Sequence, residues 1–111
     1  MNKILCFIIS LLFVTQATSS AAVYKGQKAY VKECRKCHGG GQTVAASKNG
    51  RTWKKLLKNK GTDLADIHLS SDKAKDSWEY FKSDKYKKHA KHLKDFLVEY
   101  SKDSGKVPAC N

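Results

Sequence analysis

From Tyr24 to about Lys36, Gly26, Tyr30 and Cys34 return every four residues, and Ala29, Val31 and Cys37 complete an inner face. That spacing predicts a helix. His38-Gly39-Gly40-Gly41-Gln42 interrupts it and predicts a loop able to pass close to a flat ligand. Trp53, Leu56 and Leu57, with Lys54, Lys55 and Lys58 turned to water, predict a second helix over about Gly50 to Asn59. Lys60-Gly61 stops it. Thr62 or Asp63 is then placed to cap a short third helix through Leu64, Ile67 and His68. Ser70-Ser71-Asp72 punctuates the chain before a helical piece with Trp78, Tyr80 and Phe81, and Ser83-Asp84 reads as a further break or cap. The last helix is expected from about Lys85 to Ser101, with Leu93, Phe96, Leu97 and Tyr100 at the i, i+3, i+4, i+7 spacing of one buried face. Gly105 and Pro108 end it and leave a tail carrying Cys110. There is no strand-period alternation, internal repeat or low-complexity segment. The pattern predicts an all-α fold.

The first residues follow a different logic. Met1-Asn2-Lys3 is a short basic start, Ile4 to Val14 is apolar, and small residues run from Ala17 to Ala22. This is the layout of a secretory signal peptide, with cleavage expected between Ser19 and Val23. An apolar run of about 11 residues falls short of the roughly 20 that span a bilayer, which argues against an uncleaved anchor. The expected organisation is a signal peptide over 1–22 and one domain over 23–111, exported to the periplasm. Cys6 leaves with the leader.

A mature chain of about 90 residues has little core of its own, and a buried flat apolar cofactor would enlarge it. The whole sequence carries 22 Lys and Arg against 10 Asp and Glu, a formal charge of +12. Loss of the leader removes Lys3 and no acid. The lysines are spread along the whole mature chain. Such a surface suits acidic redox partners or anionic membrane surfaces. Export argues against nucleic acid.

The most specific chemistry lies in Cys34-Arg35-Lys36-Cys37-His38, the spacing of a c-type haem attachment site. Each thiol adds across one haem vinyl group, and a short turn spans the porphyrin edge between them. The histidine that follows falls under the iron as proximal ligand. Cys-x-x-Cys also occurs in zinc sites and redox dithiols. The competing zinc site would use Cys34, Cys37, His38 or another histidine, and Cys110. If Cys34 and Cys37 become thioethers, Cys110 is left as a free thiol or as a disulfide with a partner protein.

Together these residues resemble the class I cytochromes c, small single-haem electron carriers, over about Tyr24 to Ser101. The resemblance rests on Cys34-x-x-Cys37-His38, on the first helix with Gly26, Tyr30 and Cys34, and on Leu93-Lys94-Asp95-Phe96-Leu97 in the last. It implies a domain of four to five helices wrapped around one covalent haem c. It further implies that Phe96 packs onto Gly26 and Tyr30, with Leu93 and Leu97 facing the haem. The chain departs from the family at one point. The second axial ligand there is usually methionine, and the only methionine here is Met1.

The distal candidates are therefore His68, His89, His92 and Cys110. His68 is preferred, because it sits between Ile67 and Leu69 on the helix that in the family lines the distal side. Its bland alternative is a buried structural histidine. His89 and His92 lie in the lysine-rich Lys87-Lys88-His89-Ala90-Lys91-His92 and are the second choices. Histidine on both sides of the iron implies a lower potential than methionine ligation. The expected protein is a monomeric, non-enzymatic, one-electron carrier of a respiratory chain. The alternatives are a haem enzyme or small-gas sensor with an open distal site, and an exported zinc or thiol module.

Overall fold

A computed structural model describes residues 20–106. Most of the segment expected as a leader, and Cys110, lie outside the described residues. Among the described residues six helices follow one another: α1 (Ser20–Glu33), α2 (Arg35–His38), α3 (Gly41–Ala45), α4 (Gly50–Leu69), α5 (Trp78–Lys82) and α6 (Asp84–Glu99), with a 3-10 turn (Asp72–Ser77) ahead of α5. The described residues contain no strand. The fold is all-α. Among the described residues no helix is long and apolar enough to cross a membrane.

The long first helix crosses the last, and the crossing is organised by what Gly26 lacks. A Cβ built there would land on the His92 carbonyl oxygen and come within 2.7 Å of the Phe96 Cβ. A mid-helix glycine costs on the order of 1 kcal/mol against alanine. Here it permits backbone contact between α1 and α6. Phe96, fully buried, meets the Tyr30 ring at 5.8 Å and the Tyr100 ring at 5.6 Å between centroids. Gly41 fits beneath the same pair, 2.8 Å from Phe96 Cζ and 3.0 Å from Tyr30 Cδ1 if it carried a Cβ. The expected packing of Phe96 on Gly26 and Tyr30 is present.

The other face of α6 presents Tyr86, Ala90, Leu93 and Leu97, all buried, and packs on α4 with Trp53, Leu57 and Ala65. The Trp53 indole N–H donates to the Ala45 carbonyl at 2.8 Å, which fixes α3 to α4. Two helix starts are capped by side chains. Asn49 Oδ1 accepts from the Thr52 N–H at 2.8 Å, and Ser83 Oγ accepts from the Tyr86 N–H at 3.2 Å.

Three local details differ from the sequence reading. The helix expected over 24–36 is already formed at Ser20, the first described residue, and ends at Glu33, where Cys34 at φ −118° starts the separate turn α2. The segment after His38 is only partly loop: once Gly39 has turned the chain at φ 78°, Gly41–Ala45 winds a short helix of its own. The break expected at Lys60-Gly61 is present, at 58–61, and divides α4 into two arms, the expected second and third helices; only the capping differs. Asn59, Lys60 and Gly61 there are consecutively left-handed (φ 52°, 59° and 73°). Thr62 does not cap the second arm with its oxygen; its hydroxyl donates to the Asn59 carbonyl at 2.7 Å.

Candidate functional site

The motif 34–38 is built as one helical turn. Cys37 N–H and His38 N–H both donate to the Cys34 carbonyl, at 3.2 and 3.0 Å. Three residues apart on such a turn, the two thiols share a side. Both are free, with Cys34 partly buried and Cys37 exposed. The Gly39 N–H closes the turn on the Arg35 carbonyl at 2.8 Å, and the Tyr30 hydroxyl donates to the Gly39 carbonyl at 2.7 Å. The motif is therefore anchored at its far end to the buried α1 tyrosine that Phe96 supports.

Burial, reinforced by Glu33 and Cys37, pushes the Cys34 thiol up to about 12. A reactive dithiol works the other way, with a thiolate stabilised well below the ordinary cysteine value. Cys34 lacks the electrostatics of a thiol-redox nucleophile.

His38 meets His68 across the gap between α2 and the end of α4. Their ring centroids are 5.9 Å apart, with the planes at 75°. His68 is held on several sides. Its Nδ1 lies 2.8 Å from the Leu64 carbonyl oxygen. A carbonyl only accepts, so Nδ1 carries a proton, and in the neutral ring Nε2 is the nitrogen with the lone pair. Phe81 stacks on the imidazole at 4.1 Å and 23°. The Trp78 indole N–H donates to the His68 carbonyl at 2.8 Å, where the Ser71 N–H also donates at 3.1 Å. Phe81 is itself set by edge contacts with Tyr80 and Tyr86 at 5.3 and 4.8 Å. Sequence reasoning picked His68 but missed Phe81 and Trp78 as its supports. Their only signal was aromatic clustering after Ser70-Ser71-Asp72.

The other two histidines have different surroundings. His89 Nδ1 and the Tyr80 hydroxyl share a hydrogen bond of 2.9 Å. Burial, then Lys85, lowers the His89 pKa, and burial raises that of Tyr80. The hydroxyl therefore keeps its proton and donates it to a neutral imidazole. His92 has its Nδ1 buried without a hydrogen-bond partner, and its pKa is lowered by burial and then by Lys91 and Lys25. Of the three histidines considered as distal ligands, His68 is the one whose ring packs against His38.

Metal–imidazole bonds of about 2.0–2.1 Å on either side of an ion place two ring centroids on the order of 6 Å apart. The 5.9 Å between the His38 and His68 rings is of that size, and with Nδ1 turned to Leu64 the remaining ring nitrogen of His68 is Nε2. Among the described residues no three His, Cys, Asp or Glu side chains converge on one point. Comparisons with protein families, with characterised proteins and with solved structures give no match.

Proposed function

We propose that this chain is an exported monohaem c-type cytochrome of low potential, a one-electron carrier with histidine on both sides of the iron. The observation that carries the reading is the facing of His38 and His68 at 5.9 Å beside two free thiols on one turn. In this reading Cys34 and Cys37 hold the haem covalently, His38 is the proximal ligand and His68 the distal one. The haem supplies the redox chemistry at its iron. The chain's own residues orient and shield it. The Leu64 carbonyl fixes the His68 tautomer, Phe81 fixes the ring plane, and Tyr30 holds the motif loop through Gly39. The basic surface supplies attraction for acidic redox partners.

The test is a visible spectrum of the mature protein, expressed with haem-attachment machinery, in ferric and dithionite-reduced forms. Sharp reduced α and β bands with a low-spin ferric Soret are expected. A high-spin spectrum that responds readily to carbon monoxide would instead establish an open distal site and a gas-binding or enzymatic role. A colourless product would overturn the haem reading in favour of a zinc or thiol module.

A further inference from the structure

The kink of α4 and the outer side of α6 face each other across a recess of about 500 Å³. Lys58 and Lys60 form one wall, and Lys87, Lys88, Lys91 and Lys94 the other. The buried Leu57 reaches the recess, and Asp84 is the single acid lining it. Asp84 lies 3.8 Å from Lys87. Among the described residues, Lys58, Lys60, Lys88, Lys91 and Lys94 make no ion pair.

Shape separates this groove from an ordinary solvated face. Like charges on opposing walls of a concavity repel one another, and they concentrate the field where a convex surface would spread it. The left-handed turn at Asn59, Lys60 and Gly61, held by the Tyr86 hydroxyl on the Gly61 carbonyl, sets Lys58 and Lys60 opposite α6.

We infer that the lysine groove between the α4 kink and α6 is a docking site for an acidic segment of a partner protein. Carboxylates spaced along an extended chain can enter the recess and meet both walls together, whereas a flat anionic membrane would reach only its rims. Leu57 offers an apolar contact at the same place. The inference rests on charge and shape at this groove and is independent of the haem reading.

The experiment titrates the mature protein with a short oligoglutamate peptide at low ionic strength, followed by calorimetry and by backbone amide NMR shifts. Binding is expected, with shifts concentrated at 57–62 and 84–94. Replacing Lys58, Lys60, Lys88 and Lys91 with glutamine should weaken it by at least about tenfold. The same change in charge at Lys25, Lys28, Lys54 and Lys55 should weaken it by less than about threefold, the loss expected from the general field alone. All eight lysines are exposed, so both variants retain the core. Equal weakening by the two variants would overturn the proposal, because the peptide would then be sensing net charge. No binding would overturn it too. So would binding to phosphatidylglycerol vesicles through the groove lysines without binding to the peptide, since the occupant would then be a membrane.

Discussion

Gly26 and Phe96 meet where α1 crosses α6, and a methyl group at residue 26 would lie 2.7 Å from the Phe96 Cβ and overlap the His92 carbonyl. Helix propensity alone would make Gly26→Ala stabilising by on the order of 1 kcal/mol. The crossing reverses the sign, because two helix backbones have to separate to admit the methyl group. Overpacking of this kind costs about 1–3 kcal/mol. Gly26→Ala is expected to lower stability in urea unfolding, and an unchanged or raised midpoint would show that the helices are not in this contact.

His68→Ala removes the ring that faces His38. In the haem-loaded protein it should convert a low-spin ferric spectrum to a high-spin one that binds carbon monoxide, whereas His92→Ala should leave the spectrum unchanged. The reverse result would assign the distal ligand to α6.

Axial ligands move haem potentials within a span of roughly 0.8 V, and thioether favours the reduced iron relative to imidazole. His68→Met should therefore raise the midpoint potential, by on the order of 100 mV. A redox titration of both proteins measures the difference. A strongly positive midpoint in the unmodified protein would contradict histidine on both sides.

The Tyr86 hydroxyl, on a residue 1% exposed, donates to the Gly61 carbonyl at 2.5 Å and ties α6 to the kink between the arms of α4. Tyr86→Phe keeps the ring contact with Phe81 and leaves that buried carbonyl without its donor. The expected loss is about 1–3 kcal/mol. Denaturant unfolding of the variant measures it directly.

His89 and His92 have lowered pKa values, first because they are desolvated, and then because of Lys85 at His89 and of Lys91 and Lys25 at His92. Glu33 and Asp95 oppose the shifts weakly. The folded chain thus binds protons less readily than the unfolded one. Their contribution to stability is fully present above the ordinary histidine value of about 6.5 and declines as pH falls through it. It levels off once the lowered folded value is passed. At the alkaline end burial raises Tyr30 to about 12, so its contribution holds below about pH 10 and is lost as pH rises through the folded value. Urea midpoints across this range should fall on the acid side, and His89→Gln with His92→Gln should flatten that fall.

The periodic apolar positions and the punctuation of this chain already specified an all-α fold, the two long helices and the breaks at Lys60-Gly61 and Ser83-Asp84. Those features are set by neighbours three or four residues apart, whose side chains share a helix face wherever the helix lies. Cys34-x-x-Cys37-His38 was legible for the same reason, since one turn holds the whole motif. Where one helix meets another was foreseen only through the family resemblance, which placed Phe96 on Gly26 and Tyr30 and set His68 opposite His38. The residue pattern alone did not reach it: the Phe81 ring stacked on His68 and the opposition of Lys58 and Lys60 to the lysines of α6 join residues far apart in the chain. Gly26 lets α1 and α6 touch, and Tyr86 ties α6 to the bend in α4 beside Lys58 and Lys60. Local spacing determines which faces are apolar. Only packing decides which faces meet, because burial rewards contact without prescribing the partner.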